Sequence, residues 1–139
     1  MRRLLFLAAL AAVSCSDEKA GVDAANIIGT WRMVGQKVNG AYETYNDACS
    51  TSADLYVFGA DGTYGTTIHN SDCEPFVSES GHWTRQGKTV QVLDLDPAAY
   101  LDGTFTVDNF NANELWLREE VLSADGTSTI IFYYLERAN

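Results

Sequence analysis

Five turn signals cut the chain beyond residue 27 into short pieces: Asn39-Gly40, Asp61-Gly62, Gln86-Gly87, Asp102-Gly103 and Asp125-Gly126. Glycine accepts the positive φ that a tight reversal needs, and the polar residue before it tolerates the same region, so each pair marks a hairpin or the launch of a strand. The pieces between them are rich in β-branched and aromatic residues. They read as eight strands, at 27–38, 53–58, 63–69, 77–85, 89–95, 104–110, 114–121 and 127–135. No stretch beyond the first residues keeps helical periodicity for ten positions.

The first strand sets the pattern. Ile27, Trp31 and Met33 share one parity, with Thr30, Arg32 and Gln36 on the other, and Gly29 lies on the Trp31 face where a large indole crowds its neighbours. All links between strands are short except Tyr45–Asp54 and His69–Val77, and short links join antiparallel neighbours. The fold expected is therefore all-β, an eight-stranded up-and-down antiparallel barrel, with a two-sheet sandwich as the alternative. Asp-Gly-Thr occurs three times, from Asp61, Asp102 and Asp125, and Gly29-Thr30-Trp31 is echoed by Gly81-His82-Trp83. Neither repeat keeps a constant period, which excludes a solenoid.

The start of the chain has a different composition. Arg2-Arg3 precede an apolar run, Leu4 to Val13, too short to span a bilayer as a stable helix. Ala12-Val13-Ser14-Cys15 resembles a bacterial lipobox, which implies removal of residues 1–14 and lipid attachment at Cys15. The alternative is an ordinary secretory leader with a coincidental cysteine. Ser16-Asp17-Glu18-Lys19 resembles the acidic tether of surface-exported Bacteroidetes lipoproteins, so residues 15–26 read as a lipidated flexible tether and 27–139 as the folded domain. These resemblances imply an outer-membrane lipoprotein, surface-exposed if the acidic tether acts as it does there.

Charge narrows the partners. All nineteen acidic residues lie beyond Cys15 but only seven of the nine basic ones do, a formal charge of −12 for the processed chain. Such a surface argues against nucleic acid and against direct adhesion to anionic lipid, leaving the anchor on Cys15 as the membrane contact. With Cys15 assigned to lipid, Cys49 and Cys73 remain as an even pair in an oxidising compartment, where a disulfide is the default. A metal site built from them finds only His69 and His82 as further soft ligands, without ligand spacing, so no metal and no cofactor is expected.

Taken together, Gly29-Thr30-Trp31, the Cys49–Cys73 segment around Phe58-Gly59-Ala60-Asp61-Gly62-Thr63-Tyr64, and Gly81-His82-Trp83 resemble the lipocalin-like lipoprotein domain family of Bacteroidetes. The resemblance spans about Ile27 to Arg137. It implies that Trp31 sits at the closed end of the barrel with Arg137 laid across it. Two departures stand out: the family's motif near the sixth–seventh strand turn is only echoed by Val107-Asp108-Asn109-Phe110, and no helix is expected after the last strand before Asn139.

An eight-stranded barrel is just wide enough to fill with side chains or to hold one small ligand. Parity assigns Trp31, Met33, Phe58, Tyr64, Trp83, Phe105, Leu117, Phe132 and Tyr134 to the inner face, the candidate lining for an apolar or amphipathic molecule. The other reading is a barrel packed solid by these side chains, acting as a structural or interaction lipoprotein. The apolar second parity of the last strand, Ile131, Tyr133 and Leu135, leaves room for a covering partner on that side, but nothing names a protein partner. Catalysis has little to work with. Asp94 with Asp96 share a strand face, as do Tyr134 and Glu136, while Glu119 and Glu120 lie on opposite faces, and none has a nucleophile or base at matching spacing. Asp94 with Asp96 lacks the order of acidic residues of a calcium loop. The protein is not expected to be an enzyme.

Overall fold

Nine antiparallel strands make up the computed structural model, which describes residues 27–94 and 101–139. They are β1 (Gly29–Val38), β2 (Ala41–Thr44), β3 (Leu55–Phe58), β4 (Thr63–His69), β5 (Pro75–Gln86), β6 (Thr89–Leu93), β7 (Gly103–Phe110), β8 (Glu114–Leu122) and β9 (Ser128–Arg137). From β3 onward each strand pairs with its successor, β3 pairs with β1, and β1 pairs with β9, so the sheet closes on itself. β2 and β3 occupy the same edge of β1, β3 along Gly29–Arg32 and β2 along Gly35–Val38. The ring is therefore an eight-stranded barrel, as the turn pattern implied, with β2 as a flank on one of its strands. All four residues of β2 are exposed, so no apolar alternation marks it in the sequence. The leader, Cys15 and the tether fall outside the described residues, as do residues 95–100.

The turns work as their chemistry requires. At Asp61-Gly62-Thr63 the carboxylate Oδ1 accepts from the Thr63 N–H at 3.0 Å and from its hydroxyl at 2.6 Å, while Gly62 takes φ 85°. Asp125 does the same for the Thr127 N–H at 2.9 Å, with Gly126 at φ 83°. These hydrogen bonds hold both exposed carboxyls below the usual carboxylate range. The third copy differs: Asp102 Oδ1 accepts from the Asp94 N–H at 3.2 Å and so ties β7's entry to the end of β6.

Inside the ring, alternation fills the core with Tyr56 and Phe58, Val90 and Val92, Phe105 and Val107, Leu115 and Leu117. The ladders slip at three places, between Met33 and Gly35, Tyr64 and Thr66, and Val107 and Asn109. The slip in β1 reverses its parity. Trp31 and Met33 face inward, but beyond the bulge Gln36 and Val38 lie opposite Tyr133 and Ile131, so Gln36 leaves the face of Arg32.

Two devices secure the long links at the other end from Trp31. Asp54, 2 % exposed, accepts from the Tyr45 hydroxyl at 2.5 Å and the His69 N–H at 2.7 Å, and its own N–H donates to Asp47 at 2.7 Å. Cys49 and Cys73 are joined in a disulfide across a sequence separation of 24, pinning the Tyr45–Asp54 link to the turn between β4 and β5. In the chain-entropy account such a loop contributes about 3–4 kcal/mol by restricting the unfolded chain. The double substitution Cys49→Ser, Cys73→Ser should lower urea-unfolding stability by about that amount while leaving the far-ultraviolet spectrum of a β-protein intact. A loss below about 1 kcal/mol would show that the buried Asp54 network alone holds these loops.

Candidate functional site

The closed end is built around Trp31. Its indole N–H donates to the Ile27 carbonyl at 2.8 Å, and its ring meets Phe110 edge-on at 6.3 Å between centroids. Arg137, the last residue of β9, is the register partner of Trp31 and lays its guanidinium Cζ 4.2 Å from the indole centroid. The guanidinium also donates from Nε to the Ala112 carbonyl at 2.8 Å and from Nη1 to the Ile28 carbonyl at 3.2 Å, closing the turn before β8 over the start of β1. Gly29 has a reason of its own: a Cβ there would collide with Arg137 Nη1, and its φ of 137° suits glycine. The room it leaves is for the arginine, rather than for the indole.

Further in, Phe58 touches Tyr64 at 5.2 Å and Trp83 at 5.4 Å between ring centroids. The Trp83 N–H donates to the Gly59 carbonyl at 2.9 Å. Trp31, Met33, Phe58, Tyr64, Trp83, Phe105 and Leu117 all belong to the buried core, none more than 7 % exposed. They fill the space between one another.

Phe132 and Tyr134 do not join them, which corrects the inner parity assigned to β9. Leu135 is buried opposite Met33, and Tyr133 packs on the core with its ring 5.8 Å from Phe105. Phe132 and Tyr134 take the outer face, stacked at 6.5 Å. Both parities of β9 are apolar, so alternation alone could not choose between them. Tyr56, Val90, Val92 and Leu115 are core residues that the candidate lining omitted, and alternation within their own strands with Phe58, Thr89 to Leu93 and Leu117 would have found them. Leu101, fully buried just before β7, carries no such signal.

The geometry thus puts one short strand barrel, sealed at the Trp31 end, on a chain whose residues 27–117 match the family model of the lipocalin-like domain. The chain belongs to the lipocalin-like domain family. Similar solved structures include bovine odorant binding protein complexed with its natural ligand, at 16 % identity over 88 % of this chain and 78 % of that one, TM-score 0.47. The same bovine protein with undecanal gives 16 % identity over 88 % and 78 %, TM-score 0.46. No curated protein sequence matches the chain.

In this lipocalin-like barrel the polar groups of the inner face are few. Ser78 Oγ donates to Asp94 Oδ1 at 3.1 Å, both residues being buried. Asp94 therefore turns inward; its sequence partner Asp96 lies outside the described residues, and among the described residues no group of three or more His, Cys, Asp or Glu side chains is placed to hold a metal. The Tyr64 hydroxyl is buried without a hydrogen-bond partner, and burial first, then the charges of Asp94 and Asp102, push its pKa far up. Tyr133 is pushed up too, by burial and then by Glu119, whose carboxylate accepts from its hydroxyl at 3.0 Å. Depressions of about 280 to 370 Å³ lie on the outer face and at strand ends, one over Val57, Thr67 and Val77, another over His82, Thr84 and Leu93.

Two outcomes follow from the closed end and from Tyr64. A guanidinium over a desolvated indole stabilises by about 2 kcal/mol. A double-mutant cycle of Arg137→Ala and Trp31→Ala, read by urea unfolding, should give a coupling of about 1–2 kcal/mol; strictly additive losses would mean the rings and guanidinium do not act as a pair. For Tyr64, folded and unfolded forms both keep the phenolic proton below pH 10. Above it the unfolded chain sheds the proton that the folded one retains, so stability falls as pH rises. Tyr64→Phe removes an unpaired buried hydroxyl and should raise stability at neutral pH by about 1 kcal/mol and flatten the alkaline fall. An unchanged alkaline limb would show that the hydroxyl is not held dry.

Proposed function

We propose that this lipocalin-like protein is a non-enzymatic module tethered to the outer membrane by lipid on Cys15, with a barrel filled by its own side chains and a working surface on the outside. The observation that carries the reading is the ring-on-ring filling of the interior: Trp31, Phe58, Tyr64, Trp83 and Phe105 occupy the volume in which a carrier would seat a guest. The anchor rests on Ala12-Val13-Ser14-Cys15, and a surface-facing position rests on Ser16-Asp17-Glu18-Lys19. Two or three acyl chains, at about 0.8 kcal/mol per buried CH₂, make retention at a membrane stable.

A second reading, a small amphipathic guest within the barrel, has one specific support. The buried Tyr64 hydroxyl has no partner, and a guest's polar end could supply one.

The test uses protein purified from its own envelope. Native mass spectrometry should show the lipidated chain without a stoichiometric non-covalent adduct, and titration with fatty acids should leave the tryptophan emission unchanged. A one-to-one fatty-acid adduct, weakened in Tyr64→Phe, would overturn the filled barrel in favour of the carrier. Cys15→Ala should move the protein out of the membrane fraction and abolish incorporation of labelled lipid; unchanged partition and labelling would overturn the anchor.

A further inference from the structure

The outer face of β2, β1, β9 and β8 carries a cluster of rings that core packing does not account for. Tyr134 stands at its centre, with Trp116 edge-on at 5.1 Å and Tyr42 tilted at 5.6 Å on the other side. The three line a depression of about 280 Å³, whose polar wall is Glu114 and Glu136. Tyr42 is 57 % exposed, so the site opens to solvent.

The bulge in β1 makes the arrangement. It turns Gly35 to the outer face, opposite Tyr134. With no side chain at Gly35, the hydroxyl end of the Tyr42 ring comes close over the backbone there: a Cβ would stand 2.6 Å from Tyr42 Cζ and 2.8 Å from its Cε2. Tyr42 thereby reaches across β1 to Tyr134.

The charges choose the occupant. Glu136 pairs with Arg32 at 2.8 Å, whereas the contact described for Glu114 is with the neutral Nδ2 of Asn111, at 3.0 Å. Glu114 therefore brings a carboxylate outside the Arg32–Glu136 ion pair to a pocket lined by three aromatic rings, whose π-systems attract cations. The chain as a whole carries a formal charge of −10. An apolar anion is repelled by this set. A neutral polyol would find rings and acceptors but no use for the charge. A cation with an apolar surface satisfies both walls: its methyl groups meet the rings and its charge meets Glu114.

We propose that Tyr42, Trp116, Tyr134 and Glu114 form a binding site for a small quaternary ammonium compound, seated by cation–π contact on the rings and by the carboxylate of Glu114. This site is on the outer face and stands whether the barrel interior is filled or not.

The probe is tetramethylammonium chloride, titrated by isothermal calorimetry and ligand-observed NMR against a sodium chloride blank of equal ionic strength. Saturable binding of one equivalent in roughly the millimolar range is expected, as befits exposed cation–π contacts. Trp116→Ala and Glu114→Gln should each weaken it about two- to fivefold. Gly35→Ala should weaken it several-fold and lower the unfolding midpoint only slightly, because a Cβ there displaces Tyr42 from Tyr134 on the outer face and leaves the core untouched. Glucose and octanoate should not bind. Saturable binding of glucose at the same residues would overturn the proposal in favour of a polyol platform, as would tetramethylammonium binding that ignores all three substitutions, or no binding beyond the salt blank.

Discussion

Closure of the ring hangs on the ladder between β1 and β9, which pairs Trp31 through Val38 with Arg137 back to Ile131. Every other strand pair joins neighbours in sequence or nearly so, and each forms for a small loop-closure cost. The β1–β9 ladder joins the two ends of the domain, and without it both strands would present unpaired edges. Its closed end is also where Trp31, Gly29 and Arg137 meet, so the contact that seals the barrel and the ladder that closes it stabilise one another. Arg137 contributes in two ways, through its charge over the indole and through two main-chain carbonyls that it bridges. A lysine could not span those three partners from one planar group.

A closed ladder between two strands of fixed twist leaves little freedom of register, and the bulge between Met33 and Gly35 is where β1 accommodates it. That single slip exchanges the two faces of β1 above it, while β9 keeps one alternation throughout, set by Leu135 opposite Met33: Tyr133 meets Phe105 inside, and Phe132 and Tyr134 lie outside.

Much of this was legible in the residues. Asp-Gly and Asn-Gly pairs located the hairpins because only a few residue types adopt the backbone these turns need, and Asp61 and Asp125 show the same carboxylate-to-threonine bonding that makes Asp-Gly-Thr a reliable start to a strand. The Cys49–Cys73 bridge followed from counting the thiols left once Cys15 is read as a lipid anchor. One inner position on each of β3, β4, β5, β7 and β8 was assigned by alternation, Phe58, Tyr64, Trp83, Phe105 and Leu117, whereas Val90 and Val92 of β6 were not picked out. β2 was not visible, since four exposed residues have no pattern to show, and only its turn at Asn39, with φ 47°, betrays it. The outward position of Tyr134 was missed because β9 is apolar on both parities, whereas the slips in the ladders carried a signal of their own. Gly35 and Gly65 are lone glycines inside strand patterns, and each sits at a ladder slip. The third slip, at Asp108, has no such mark. Asp54 could not be foreseen as buried, because its partners Tyr45 and His69 are brought to it by the loops it organises.

The two faces of β9 then pose different physical demands. Inward, Leu135 and Tyr133 need only exclude water. Outward, rings exposed to solvent cost free energy unless something covers them, and single exposed aliphatics such as Leu93 are ordinary on a small protein. Tyr42, Tyr134 and Trp116 are not solitary. They cover one another, and an edge-to-face pair of this kind stabilises by about 0.5–1.5 kcal/mol beyond its buried area. That mutual support also fixes each ring's angle across four strands of a closed sheet. A binding surface made this way has already met the ordering cost that a loop would meet on association, so even a few weak contacts with a small cation are enough to be selective.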